Sequence, residues 1–165
     1  MTVAESRRGI QMSFSIIGDD GLPPEADRRL HRMIGYWRSI AGERRFPSRA
    51  DFDPIDVPQL LPYLTLVDVH PTPPCFVYRL VGTVASEILR KDLTGQPVGA
   101  GVKAEELAAV LRRYEMVRDL GAPLYQRTRT QEEENDHTLV DRLMLPLGDD
   151  GQVSKILTMI IQARG

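Results

Sequence analysis

The feature that most constrains the fold of this 165-residue chain is a series of three β-rich runs near its C-terminus. The runs cover Leu124 to Thr130, Thr138 to Leu147 and Val153 to Ala163, and they are rich in β-branched and large apolar residues. Between the last two runs, Gly148-Asp149-Asp150-Gly151 has the composition of a hairpin turn, with glycine where a positive φ is favoured. Strands joined by so short a turn pair in antiparallel fashion, and we expect an antiparallel sheet.

The segment before these runs supplies two more strands and two helices. Tyr63 to Val69 and Phe76 to Val81 have strand composition, and a short helix begins at Thr83, its predicted N-cap. A longer helix is predicted over roughly Lys103 to Leu120, with an apolar stripe along one side. The order of helix, two strands, helices and three strands predicts an α+β domain with an antiparallel sheet.

The N-terminal region is predicted as a flexible leader over residues 1–21, followed by a single domain over 22–165. Pro23-Pro24 is expected to open an amphipathic helix over residues 23–41, because proline is tolerated in a first turn. Trp37 is predicted to anchor the apolar stripe of this helix. Such a stripe needs a partner surface. We expect a homodimer to which 23–41 contributes, with the alternative that the helix folds back onto its own sheet.

Charge and composition narrow the classes of partner and compartment. Lys plus Arg number 21 and Asp plus Glu 23, for a net charge of −2. This balance lacks the basic field that attracts phosphate backbones or anionic lipid, and we expect no nucleic acid and no membrane as partner. No run approaches the roughly 18 apolar residues that a membrane span needs. The single cysteine, Cys75, excludes an internal disulfide framework, and a cytoplasmic protein is predicted.

No motif for metal binding or catalysis is evident. His31, His70 and His137 are scattered, whereas a zinc site needs three or four convergent ligands, and we predict no metal site. Phosphate-loop, dinucleotide-binding and Gly-x-Ser-x-Gly strings do not occur. We predict that the protein is not an enzyme. The alternative of an enzyme would require a cleft in which an acid, a base or a nucleophile converge.

Several short strings, together with the element order, resemble a known family. The strings are Arg49-Ala50-Asp51-Phe52-Asp53-Pro54, Leu61-Pro62, Phe76-Val77-Tyr78-Arg79-Leu80-Val81-Gly82-Thr83, Asp92-Leu93-Thr94-Gly95, and Leu145-Pro146-Leu147 followed by Asp150-Gly151. Over about residues 35 to 163 the chain resembles a bacterial single-domain family of PAS type whose function is largely uncharacterised. The resemblance implies a PAS-like five-stranded antiparallel sheet with flanking helices on one face, and an N-terminal helix that packs outside that core.

The resemblance also implies how such a domain works. Domains of this kind bind small molecules between sheet and helices, or pair with signalling proteins through the sheet, and they often form dimers. Haem-binding relatives supply a histidine from the long helix, and residues 103–120 contain none. Flavin photosensors use a cysteine within an Asn-Cys-Arg motif, whereas Cys75 lies next to the second strand. We therefore expect no haem, no flavin and no other cofactor.

Two neighbouring pairs of polar strand residues are candidates for contacting a ligand. Tyr78 and Arg79 alternate along one strand and point to opposite faces. A charged Arg79 in an otherwise apolar strand needs water or a partner, which could be an acid such as Asp51 or Asp53 in a structural ion pair, or the anionic group of a ligand.

The next-to-last strand poses the same problem at Asp141 and Arg142, which also face opposite sides. Tyr114, Met144 and Met159 are further candidates for lining a pocket, with ordinary core packing as the alternative for each. The predicted ligand-contacting set therefore consists of aromatic, basic and thioether side chains. Its members are Tyr78, Arg79, Tyr114, Arg142, Met144 and Met159.

These observations lead to one hypothesis and one alternative. The hypothesis is a non-catalytic sensor or adaptor of PAS type that binds a small molecule or a signalling protein. The alternative is a structural dimerisation or interaction module whose core is filled. The two differ in one observable, which is whether the domain contains an internal cavity lined by polar groups.

Overall fold

A computed structural model of the chain describes residues 2–7, 10–16, 21–133 and 136–163. Its strands are β1 Thr2–Arg7, β2 Ile10–Ile16, β3 Leu64–Val69, β4 Phe76–Val81, β5 Leu124–Glu133, β6 Asp136–Asp149 and β7 Gln152–Ala163. Its α-helices are α1 Arg28–Ala41, α2 Thr83–Leu89 and α3 Ala104–Leu120. Single 3-10 turns cover Arg49–Asp51, Pro54–Asp56 and Leu61–Tyr63 between α1 and β3.

All the strands belong to one antiparallel sheet in the order β1-β2-β5-β6-β7-β3-β4. The last five of these strands form the predicted PAS-like sheet, and the predicted α+β class is confirmed. The predicted hairpin joins β6 to β7, with positive φ at Asp150 and Gly151. At Gly148 an added Cβ would collide with the backbone carbonyl of Gln152, and this close approach explains why glycine occupies the start of the turn.

The N-terminal segment differs from its sequence-based prediction. Instead of a flexible leader over residues 1–21, the structure places β1 and β2 there, and β2 pairs with β5 from Ser13↔Arg127 to Ile16↔Leu124. The outer edge of β5 presents unpaired backbone N–H and C=O groups, which another strand can satisfy. The pairing therefore extends the sheet beyond the five predicted strands.

The starts of α1 and α2 also differ from prediction. Helix α1 begins at Arg28, because the Asp27 carboxylate accepts a hydrogen bond of 2.9 Å from the backbone N–H of Arg29. The N-cap of α2 is Gly82 and not Thr83. A Cβ on Gly82 would collide with the backbone carbonyl of Pro62, so a residue with a side chain does not fit at this cap.

Helix α1 covers one face of the sheet. Leu30 and Met33 are fully buried in a cluster with leucines of β6 that point toward α1, such as Leu143 and Leu145. The Trp37 indole Nε1–H donates a 2.9 Å hydrogen bond to the carbonyl of Pro146, as expected for a buried anchor. The apolar stripe of α1 therefore packs on the chain's own sheet, as the alternative had it, and a homodimer to which 23–41 contributes stays a prediction.

Helices α2 and α3 cover the opposite face of the sheet. We call the apolar residues beneath α3 the α3 cluster: Val67, Phe76, Tyr78, Leu93, Val98, Tyr114, Val117, Leu124, Met144 and Ile156. Those beneath α2 form the α2 cluster: Ala85, Val140 and Ile160. None of the helices within the described ranges is long and apolar enough to cross a membrane.

Candidate functional site

We call the face of the sheet that α2 and α3 cover the inner face. On it, a group of polar side chains lies between the α2 cluster and the aliphatic part of the α3 cluster, and Tyr78 and Tyr114 belong to both this group and the α3 cluster. On β6, Arg142 stands between Val140 of one cluster and Met144 of the other. We call this group the polar seam. Its members come from four elements and are Tyr78 on β4, Arg113 and Tyr114 on α3, Gln126 and Thr128 on β5, and Arg142 on β6.

The strand register brings the seam together. Gln126 lies directly opposite Arg142 in the β5–β6 pair, and residues opposite each other share a face. The Arg142 guanidinium donates a 2.7 Å hydrogen bond to the Thr128 hydroxyl oxygen. From the helix above, Arg113 Nη1 donates a 3.0 Å hydrogen bond to Gln126 Oε1. The seam thus connects α3 to the middle of the sheet.

The seam contains buried donors that the protein leaves unused. Arg113 Nε and Gln126 Nε2 are buried, and neither has a hydrogen-bond partner among the described residues. An unpaired buried donor costs about 1–3 kcal/mol, so natural cores pair most of them. Two such donors within one connected group make the seam the candidate site of this domain.

Two phenols line the same region. Tyr78 and Tyr114 are almost completely buried. Burial raises the pKa of Tyr78, and the neighbouring Tyr114 raises it further, against the opposing effect of Arg113 and Arg142. The Tyr78 phenol is therefore neutral at physiological pH and serves as a hydrogen-bonding group and not as a base.

The Arg142 guanidinium lies in an unfavourable environment for a cation. Burial, followed by repulsion from Arg113, lowers the pKa of Arg142 to about 9. That value is still above neutral pH, so the group stays charged. The seam consequently holds a positive charge whose surroundings do not stabilise it fully.

The structure brings together four of the predicted ligand-contacting residues and separates two. Tyr78, Tyr114 and Arg142 belong to the seam, and the fully buried Met144 adjoins it on β6. Met159 instead lies under α1 on the opposite face, because its position in β7 has the other parity.

Arg79 also lies away from the seam. Its side chain keeps 67% of its surface exposed, and its Nε is 3.7 Å from a carboxylate oxygen of Asp68, not near Asp51 or Asp53. The reason is that β4 is an edge strand on which Arg79 has the parity opposite to Tyr78. Arg79 therefore lies outside the seam, and its predicted contact with a ligand stays a prediction.

Sequence reasoning missed Arg113, Gln126 and Thr128. Gln126 and Thr128 are two residues apart in a predicted strand, which is the spacing for a shared face. The sequence signal for a polar site was therefore this pair of polar residues on one face of a strand. Arg113 gave none, since an arginine beside the apolar stripe of an amphipathic helix is common.

The polarity continues onto the next two strands. Thr65 on β3 lies directly opposite Thr158 on β7, on the same inner face. Both side chains are fully buried, and neither hydroxyl has a hydrogen-bond partner within the described part of the chain. The inner face therefore carries more unsatisfied polar groups than those of Arg113 and Gln126 alone.

A separate cavity of about 300 Å³ lies beside α2. There the Arg29 guanidinium stacks over the Tyr63 ring at 4.6 Å. The lining residues are Arg29, Tyr63, Val84, Glu87, Ile88, Arg90, Thr138, Val140, Ile161 and Gln162. The α2 cluster lies between this cavity and the seam. No group of three metal-ligating side chains converges anywhere in the described ranges.

A family model described as PAS domain matches residues 26–161. The chain belongs to the PAS domain family. Domains of this family are generally sensory or interaction modules. The matched range begins just before α1 and ends in β7, so it includes every member of the polar seam. A search of curated proteins found no match.

Among solved structures, the chain is similar to one described as the structure of an RNA-binding Light-Oxygen-Voltage receptor. The sequences are 10% identical and the TM-score is 0.49; the match covers 93% of this chain and 39% of the receptor chain. At that similarity nothing about the receptor's partner transfers to this chain.

That description does correct one expectation. The receptor is described as RNA-binding, so our exclusion of nucleic-acid partners is withdrawn, and no nucleic-acid partner is assigned to this chain. The physical reason is that a net charge of −2 sums over the whole chain. Basic side chains such as Arg28, Arg32 and Arg38 are exposed on a single helix whatever the total charge.

Proposed function

We propose that this PAS domain is a non-catalytic sensory module that binds a small molecule in the polar seam and reports its presence to a partner protein. The observation that carries the proposal is the pair of buried donors, Arg113 Nε and Gln126 Nε2, which no described residue satisfies. A ligand with acceptor atoms at this place would satisfy both donors and remove their desolvation cost.

The chemistry of the seam favours binding over catalysis. General acid–base catalysis needs a group whose pKa lies near the working pH. The seam offers guanidinium, phenol, amide and hydroxyl groups, and the pKa of Tyr78 is raised away from neutrality. These are groups that orient a ligand by hydrogen bonds.

The position of the seam gives a route from binding to signalling. Arg113 belongs to α3, whereas Gln126 and Arg142 belong to the sheet. A ligand that bonds to both sides ties the helix to the sheet and favours the arrangement in which the two are closest. Such a ligand shifts the population between arrangements of α3, to which a partner protein can respond.

Native mass spectrometry of the full chain purified from the organism that encodes it tests this proposal. We expect the folded protein to carry a small molecule. In a Gln126→Leu variant, which keeps the volume but removes the amide, that added mass should be lost. Met159→Leu is the matched control, because Met159 is equally buried on the opposite face and should leave the added mass in place.

Two results would contradict the proposal. If no bound molecule is found and extracts of the host cause no change in the NMR signals of the seam residues, the alternative of an interaction module with a filled core is favoured. If a molecule is retained equally by Gln126→Leu, the binding site lies outside the seam, for example in the cavity beside Tyr63.

A further inference from the structure

The seam holds two arginines whose hydrogen-bond partners are uncharged. Arg113 donates to the amide oxygen of Gln126 at 3.0 Å, and Arg142 donates to the hydroxyl of Thr128 at 2.7 Å. Neither arginine takes part in an ion pair with any described residue. Guanidinium groups in protein interiors are normally accompanied by a carboxylate, because an unpaired buried charge is costly.

The acidic residue nearest to Arg142 in sequence, Asp141, has its hydrogen-bond partners on the other face of the sheet. Asp141 precedes Arg142 on β6 but faces the α1 side of the sheet. Its carboxylate accepts hydrogen bonds from Arg127 Nε at 2.7 Å and Arg127 Nη2 at 2.9 Å. The Tyr125 hydroxyl donates a third, at 3.1 Å. With these partners satisfied on the opposite face, Asp141 is not the counter-ion of the seam.

The two guanidinium groups also act on each other. Repulsion from Arg113 is the second cause, after burial, of the lowered pKa of Arg142. Holding two like charges in one region is unfavourable, and an anion between them would offset their repulsion. Tyr78 and Tyr114 lie close enough to Arg142 to influence it, and phenol hydroxyls are suitable additional donors to an anion.

Resting on the proposed function, we infer that the ligand of the seam is a small organic or inorganic anion whose carboxylate or phosphate group binds between Arg113 and Arg142. Charge-assisted hydrogen bonds from guanidinium to such groups are short, directional and about twice as strong as neutral ones. The orphaned Nε of Arg113 is a donor of this kind. The role that the sequence suggested for Arg79, contact with an anionic group, belongs in this structure to Arg142 and Arg113.

The test follows the guanidinium groups directly by NMR. The arginine Nε–Hε signals of the full chain are recorded while sodium phosphate, sodium succinate or neutral succinamide is added at constant ionic strength. We expect the Arg113 and Arg142 signals to move saturably with at least one anion and to stay in place with succinamide. Which of phosphate and succinate binds more tightly identifies the phosphate or the carboxylate as the recognised group.

Two arginine variants make the test specific. Arg142→Gln should weaken anion binding by about ten- to a hundredfold, the loss expected for one charge-assisted hydrogen bond. Arg79→Gln removes the same charge from the exposed edge strand and should leave the affinity unchanged. Equal binding to Arg142→Gln and the parent protein would overturn the inference, as would a response to succinamide equal to that of the tighter-binding anion.

The outcome is separable from that of the proposed function. If a bound molecule survives purification, depends on Gln126 and is uncharged, the seam is a ligand site and only the anionic class is wrong. If both anions leave the Arg113 and Arg142 signals unmoved, the anionic class is likewise overturned. If no molecule is retained and no seam signal responds to anions or host extract, both proposals fail together.

Discussion

The two faces of the sheet differ in how their buried polar groups are hydrogen-bonded. Under α1 the face is apolar and continuous, and its one buried acid, Asp141, is surrounded by donors from Arg127 and Tyr125. Under α2 and α3 the apolar residues divide into two clusters with the polar seam between them. Both faces bury polar groups, but only the α1 face satisfies the ones that it buries.

This difference separates stability from function within one small domain. A satisfied, well-packed face contributes to stability, because each apolar side chain removed from water adds roughly 1.5–3 kcal/mol. A face with orphaned donors and repelling charges gives up part of that stability. Such local inconsistencies are expected at functional sites, so the inner face is where we place the function.

The largest effect is expected on the α1 face, at Trp37. Trp37→Ala removes a side chain that is only 5% exposed and also its hydrogen bond to the Pro146 carbonyl. We expect a loss of about 3–5 kcal/mol in the free energy of unfolding, measured by urea denaturation. Trp37→Phe keeps most of the volume and should cost clearly less. A Trp37→Ala protein as stable as the parent would show that α1 does not contribute to the core.

The second prediction compares the two members of the ion pair on the α1 face. Arg127→Met leaves the Asp141 carboxylate, which is 1% exposed, without its cation and should cost about 3–5 kcal/mol. Asp141→Asn should cost less, since the Arg127 side chain is 35% exposed and water can solvate it. Equal losses for the two variants would mean that Asp141 is less buried than the structure shows.

The smallest effect is expected on the inner face, at Thr158. Thr158→Val removes a buried hydroxyl that has no partner among the described residues, and it keeps the volume. We expect the free energy of unfolding, measured by urea denaturation, to be unchanged or raised by up to about 1 kcal/mol. The matched control is Thr128→Val, which deletes the acceptor of the Arg142 hydrogen bond and should cost about 1–3 kcal/mol.

If Thr158→Val proved as costly as Thr128→Val, the contrast between the two faces would be weaker than the structure indicates. If it stabilises the protein, the inner face holds polar groups that folding does not need. That result would strengthen the case that the seam serves a ligand.

The sequence by itself determined the class of the domain and most of its elements. Period-two runs and the Gly148-to-Gly151 turn predicted antiparallel C-terminal strands, and the apolar stripe predicted α3 close to its observed bounds, Ala104–Leu120. These signals are local, so a single chain reveals them. The same alternation showed that Asp141 and Arg142 must face opposite sides.

Only the tertiary structure decided what lies on each side. Alternation along β6 does not say which helix covers which face, and an apolar stripe does not say whether its partner is the chain's own sheet or a second subunit. Nor does sequence show that α3 places Arg113 over Gln126, because this depends on how the helix crosses the sheet. The composition of the seam, and the lack of an ion pair between Arg142 and any described acid, follow from that packing.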